Sequence, residues 1–493
     1  MLLEASQSGQ LSQAAEGVKN AASSAAQAAA NAASSAASAA SSSIPTNSAP
    51  KAKQTAAQRA GRRQKQANAA TQSPASAQDM DSYFTTDVMG LDLGDGAKTW
   101  SGATAAILEA GVPRVVENEQ GSRSTPSVIA FTDGGEVLVG QPAKKLLFSN
   151  RATPVSAHSL LLGLSYDSEE VAELRDAGAF GSLDVADESG AAVIRVHDVS
   201  HHPEELSARI LSSLKDAAES ALGNRSVFTA VVGAPVGASP ATRAALMAAG
   251  KRSGLRKVVL LDAAVAGAGA AALELPELEP CQRIGVFMLG GRSCSFSVLD
   301  RTDGGSSAAD DGDEARAGWA VRAARRQALL GAEDFDVSVV DHLVSGFQAD
   351  HGIDLSGDHL ALQRLHEAAE TAKLELCKES AVAISLPFIT ADADGPKHLE
   401  QNLSRSRFES IIAPTLEGST AVCEAAIADA GVSKSDLHAI VLLGGSARLA
   451  AVERHVSSLF APIPTLRTAA PEEAVALGTA AYAQQLQALE YNQ

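Results

Sequence analysis

Three times in this chain an apolar run breaks into a tight glycine turn: Met89–Gly96 (MGLDLGDG), Val286–Ser293 (VFMLGGRS) and Ile440–Arg448 (IVLLGGSAR). Glycine has no Cβ to hold a ligand away from the backbone, and it reaches positive φ at little cost. Successive N–H groups at such a turn make a concavity suited to an anion. One strand–glycine turn is common in any α/β protein. Three in one chain point to a phosphate-binding cleft assembled from several strands.

The surrounding pattern supports that reading. From about Thr86 onward, short apolar runs rich in Val, Ile and Phe (PSVIAF, SVFTAVVGAP, VVLLDAAVAG, RIGVFMLGG, CSFSVLD) alternate with stretches of helical period. The spacing of apolar residues predicts amphipathic helices over His202–Leu222, Pro240–Ser253, Asp336–Ala349, His359–Leu376 and Arg405–Ala430. Strands alternating with helices predict an α/β fold with largely buried sheets. Asp303–Glu314 (DGGSSAADDGDE) has no apolar residue larger than Ala and reads as an exposed acidic loop.

Residues 1–85 are of a different kind. Ala21–Ser43 contains only Ala, Ser, Gln and Asn, so it has no large apolar side chains with which to build a core. Lys51–Lys65 (KAKQTAAQRAGRRQK) is basic. The arm reads as a transit peptide, a solvated tail or a docking segment ordered by a partner; Glu4, Glu16 and the lack of Arg before Arg59 weigh against the first. The whole chain nevertheless carries a net charge of −18, which argues against broad, nonspecific binding to nucleic acid, and no direct sequence-specific binding is expected either. The four cysteines form no CxxC pair, which predicts reduced thiols and a reducing compartment. No continuous apolar run has the ~18 residues a membrane span needs. The expected compartment is the cytoplasm, with mitochondrion or plastid as alternatives.

The ordered part resembles the nucleotide-binding domain of the 70-kDa heat-shock chaperone family, within the bilobed actin-like ATPase fold. The resemblance is carried in collinear order by NEQGSRSTPSVIAFTDGGEVLVGQPAKK (118–145), GAPVGASPATRAALMAAGKRSGL (233–255), GAEDFD (331–336), GGSARL (444–449) and PEEAVALGTAA (471–481). It implies a first lobe over 86–273, a second over 274–483 and a tail over 484–493. Relative to the family's typical members, it also implies that no peptide-binding domain follows. It further implies a cleft for ATP or ADP, with or without Mg. On this reading Asp92, Gly94 and Gly96 form the first phosphate loop and Gly290, Gly291 and Ser293 the second. Glu370 and Lys373 lie on the adenosine side, with Gly444, Gly445, Ser446 and Arg448 in the last loop.

Set beside the family pattern, the charged parts of the cleft are depleted. Asp92 is kept, but the two Thr residues expected after it are Asp95 and Gly96. Asp95 would bring a negative charge toward a phosphate, unfavourable unless it binds metal. The segment where the catalytic lysine belongs (RATPVSAHSLLLG, 151–163) has no lysine; Ser159 aligns there, with Arg151 and His158 the only cationic candidates. The Asn-Glu-Pro segment is Asp262-Ala263-Ala264. The second loop has Met288 and Ser295 for two aspartates, and Arg292, a block or a fixed cation, for its third glycine. Phosphoryl transfer depends on positioning and charge neutralisation, so these losses predict a pseudo-ATPase with no catalytic residue and no protein metal site. The resemblance is strongest to the atypical branch that pairs with a J-domain protein in the ribosome-associated complex. The expected role is therefore a non-hydrolysing co-chaperone scaffold with a J-domain partner at the ribosome. The alternatives are a structural subunit of a large assembly, contacting neighbouring subunits, and an atypical ATPase.

Overall fold

Each glycine turn terminates an interior strand of a five-stranded sheet in the computed structural model, which describes residues 87–97, 101–147, 152–302 and 318–491. The basic arm, Arg151 and the acidic loop at 303–314 lie outside the described residues. Among the described residues ten α-helices are distributed around several sheets.

The first large sheet begins with β1 (Val88–Asp92), β2 (Thr104–Glu109) and β3 (Val112–Val115), an antiparallel meander. Two small three-stranded sheets follow: β4 (Ile129–Thr132), β5 (Val137–Val139) and β6 (Ala152–Val155), then β7 (Asp184–Glu188), β8 (Ala191–Val196) and β9 (Val199–His201). Helix α1 (Gln141–Lys144) is a single turn after β5, and α2 (Glu169–Asp176) is capped by the Ser168 hydroxyl. Helix α3 (Pro203–Ala221) leads back to β10 (Thr229–Ala234), which lies parallel to β1. Ser239 caps α4 (Pro240–Arg252), whose Pro240 opens the first turn. β11 (Lys257–Asp262) then pairs parallel with β10. The order is β11-β10-β1-β2-β3.

Asp262 caps α5 (Ala263–Glu274), which crosses to the second half. There β12 (Arg283–Leu289), β13 (Ser293–Arg301) and β14 (Trp319–Ala328) repeat the antiparallel meander. Helices α6 (Ala332–His351) and α7 (His359–Glu375) follow, then a hairpin of β15 (Ala381–Asp392) and β16 (Gly395–Ser404), and α8 (Arg405–Ala430). β17 (Ala439–Leu443), α9 (Ala450–Phe460) and β18 (Thr465–Arg467) complete a sheet of order β14-β13-β12-β17-β18. The two large sheets share one plan: a central strand with an antiparallel meander on one side and two parallel strands on the other. Each central strand, β1 and β12, ends in a glycine turn.

Helix α10 (Ala474–Tyr491) returns from the second sheet to pack on β1, β2 and α5. It continues past residue 483, so residues 484–491, read from the sequence as a tail, prolong this helix. A shared core lies where the halves meet, with Val88 and Val231 from the first sheet, Val286 and Val441 from the second, and Val475 and Tyr482 from α10. Helix α8 is by average composition long and apolar enough to cross a bilayer, although it contains no continuous apolar run of that length. Its Phe408, Ile412, Leu416 and Cys423 are buried in the core of the second half, as in a helix of a globular domain.

Candidate functional site

The first turn is shaped by its own aspartate. An Asp92 carboxylate oxygen accepts the Gly94 N–H at 3.0 Å, and Gly94 takes φ 61°. The Gly96 N–H donates to the Ser101 carbonyl at 2.9 Å, closing the loop. Across the cleft, the Gly290 N–H donates to the Ser293 carbonyl at 2.9 Å. The N–H groups of Gly291 and Arg292 are then left directed at the first loop.

Asp95 fills that position. Its Oδ1 accepts from the N–H of Gly291 at 2.8 Å and of Arg292 at 3.3 Å, while its Oδ2 accepts the Ser293 hydroxyl at 2.5 Å. The Arg326 guanidinium donates to Ser293 Oγ at 3.2 Å and stands 3.8 Å from Asp95 Oδ2. A second acid crosses in the opposite direction. Glu333, in the first turn of α6, accepts the Ala97 N–H at 2.5 Å and pairs with Arg292 at 3.0 Å. Arg292 also donates to Ser156 Oγ at 3.2 Å. Of the two expected roles, a block or a fixed cation, its side chain takes the second: it is a cation anchored in this network.

Behind Asp95 lies a cavity of about 120 Å³, bounded among others by Asp92, Ser159, Met288, Ser295 and Ala263. Ligand pockets usually measure ~300–1,000 Å³. Burial pushes the Asp92 carboxyl up to about 6; the Gly94 N–H opposes this and the Asp95 charge adds to it. Ser159 lines the wall. His158 is fully buried beside it in a short 3-10 turn, and neither ring nitrogen has a hydrogen-bond partner among the described residues. Burial, aided by the Arg292 charge, lowers its pKa to about 4, so the imidazole is neutral near pH 7.

The family described as Hsp70 protein matches residues 88–491. The chain belongs to the Hsp70 family. Domains of this family generally bind ATP or ADP with Mg, so the cleft can be tested against that ligand. At the phosphate nest the described residues do not fit it in this arrangement, because Asp95 fills the amides suited to a phosphoryl group and the cavity behind them is small; a larger opening of about 800 Å³ lies on the side of Gly291, Arg292 and Glu333. Among the described residues no three His, Cys, Asp or Glu side chains converge to share a metal ion.

Of the residues expected to hold nucleotide, the structure brings Asp92, Gly94, Gly290, Ser293 and Gly444 to the cavity wall. Gly96 and Gly291 lie back to back, so close that a Cβ on Gly291 would stand 2.7 Å from Gly96 Cα. Gly444, at φ 85°, packs on the Leu289 carbonyl, and Gly445 and Ser446 are buried behind it. Glu370, Lys373 and Arg448 do not line this cavity. Glu370 accepts from Lys144 at 2.8 and 2.9 Å, across the lobes. Lys373 is buried, with its ammonium on Asp336 at 2.8 Å and on the Ala332 carbonyl at 3.2 Å. Arg448 makes two bonds to Glu472, at 2.6 and 2.9 Å.

Glu333, Arg326, Lys144 and Glu472 were not among the expected site residues. Three of them stand in the segments that carried the resemblance: Lys144 in QPAKK, Glu333 in GAEDFD and Glu472 in PEEAVALG. An acid or lysine kept inside a matched segment was the available signal. Arg326 had none, since it lies on β14, outside every segment that carried the resemblance.

Proposed function

We propose that this Hsp70-family chain does not hydrolyse ATP and works as a co-chaperone scaffold, paired with a J-domain protein at the ribosome and assisting a catalytic chaperone on nascent chains. The observation that carries this reading is the charge at the phosphate end of the cleft. Ser159 lines it where the family lysine is expected, and Met288, Ser295 and Ala263 line it where acids are expected. His158 is neutral and supplies no substitute cation. Phosphoryl transfer leaves a protein little to do besides position the groups and neutralise charge, so a site without those charges has lost most of what it contributes. Family membership supports a chaperone-type role on its own, and ATP or ADP, where it binds, then serves as a structural ligand and not as fuel.

Affinity purification of the full chain from its native source, with single-turnover ATP hydrolysis on the same material, tests the reading. A J-domain protein and ribosomal subunits should co-purify, and hydrolysis should stay at the buffer rate. Turnover above background that Asp92→Ala abolishes would establish an atypical ATPase instead. Recovery in fixed stoichiometry within an organellar assembly, without a J-domain protein, would favour an accessory subunit, a role that the basic 51–65 segment suits.

A further inference from the structure

We infer that Asp95 is a resident anion: its carboxylate takes the place of a phosphoryl group in the amide nest of the second glycine turn and latches the lobes together with no nucleotide between them. Both carboxylate oxygens are engaged. Oδ1 takes the N–H groups of Gly291 and Arg292, and Oδ2 takes the Ser293 hydroxyl, with the Arg326 cation 3.8 Å away. Two amides, a hydroxyl and a nearby guanidinium are the donors that recognise one face of an oxyanion. The fit is steric as well as electrostatic. A Cβ on Gly290 would lie 2.8 Å from Asp95 Oδ1, so the carboxylate rests in the space that glycine leaves. The two loops touch directly, since a Cβ on Gly291 would also meet Ser101 Cβ at 2.6 Å.

Two consequences follow. A phosphoryl group and the Asp95 carboxylate need the same donors, and two anions at one nest repel, so either excludes the other. Lobe closure in this chain is then a property of the polypeptide. Glu333, which reaches back to the Ala97 N–H, makes the contact reciprocal. This goes beyond the scaffold reading and does not depend on which partner binds.

Hydrogen exchange of the ligand-free full chain reads the latch directly, with Asp95→Gly and the isosteric Asp95→Asn as variants. The amides of Gly291 and Arg292 should exchange at least tenfold faster in Asp95→Gly than in the wild type, with Asp95→Asn, which keeps an oxygen acceptor but loses the charge, between the two. Calorimetric titration with ADP, and separately with inorganic pyrophosphate, should give at least tenfold tighter binding to Asp95→Gly. Equal exchange in wild type and both variants, or wild-type affinity for ADP and pyrophosphate equal to that of Asp95→Gly, overturns the inference. The two proposals fail separately. ATP turnover by a wild type whose nest amides are protected removes the scaffold reading and leaves the latch. Unprotected amides without turnover remove the latch and leave the scaffold.

Discussion

At the residue scale the cleft is defined by which acids are spent and which are not. Asp95 and Glu333 each accept backbone N–H groups from the opposite lobe. Asp92 accepts one N–H and otherwise faces a small cavity, and its pKa is raised from 3.8 to about 6. A carboxyl with a raised folded pKa holds its proton more tightly in the native state than in the unfolded one, so ionising it costs stability. That cost is absent below pH 4, grows as the pH rises toward 6 and is complete above it. Asp92→Asn keeps an acceptor for Gly94 and removes the charge. It should be more stable than the wild type at pH 7.5 by roughly 1–2 kcal/mol, allowing for screening by water in the cavity. In paired urea titrations the advantage should vanish by pH 4. A variant equal to or less stable than the wild type at pH 7.5 would mean that Asp92 is well solvated or paired. Glu370, Lys373 and Arg448, expected on the adenosine side, show what a sequence leaves out at this scale. The residues are present, but each is taken up by a partner, and Lys144 stands 226 residues from Glu370. Asp95 and Gly291 are 196 residues apart. Contacts closed at such separations leave no local pattern to read.

At the element scale, legibility follows how an element packs. Helices that bury a stripe of large side chains were readable: α3, α4, α7 and α8 lie within a residue or so of their expected limits. Helices that pack by backbone approach were not. The start of α5 (AAVAGAGAAALE) reads with the apolar run of the preceding strand, and α10 is not among the helices expected from the spacing of apolar residues. α5 is rich in Ala and Gly and α10 in Ala because they press against each other, and α10 presses on β1 as well. A Cβ on Gly478 would lie 1.8 Å from the Ala266 carbonyl oxygen, and one on Gly90 would lie 2.3 Å from Ala480 N. The β15–β16 hairpin escaped notice for another reason. Its alternation of buried and exposed residues is interrupted at Pro387 and Phe388, where Phe388 takes φ 53° and the register shifts. The packing argument has a direct test. Gly478→Ala should destabilise the domain by about 2–3 kcal/mol or more, since the clash is with main chain that has no rotamer to change. Gly134→Ala, in open space, should stay within ~0.5 kcal/mol. Equal urea midpoints for the two variants would show that α10 can shift away from α5 without penalty.

At the scale of the whole molecule, one strand plan is used twice, and each copy aims the turn after its central strand at the other. That arrangement suits a ligand held between the turns, and here the turns hold each other. Besides the Asp95 and Glu333 contacts, the lobes are joined by Lys144–Glu370, with both side chains largely buried, and Arg123 from the first half reaches Glu473 beside α10. A buried pair broken from one side leaves the other charge uncompensated, whereas replacing both partners removes the desolvation cost along with the attraction. Lys144→Ala alone should therefore destabilise the protein by roughly 2–4 kcal/mol, and Lys144→Met with Glu370→Leu should recover most of that loss. The two pairs act at different places, so Lys144→Ala should loosen α1 and α7 in hydrogen exchange while the amides of Gly291 and Arg292 remain as slow as in the wild type. Should those nest amides speed up together with α1, the lobes would be opening as a single rigid hinge, and the closure seen at Asp95 would depend on the Lys144–Glu370 bridge and not stand by itself.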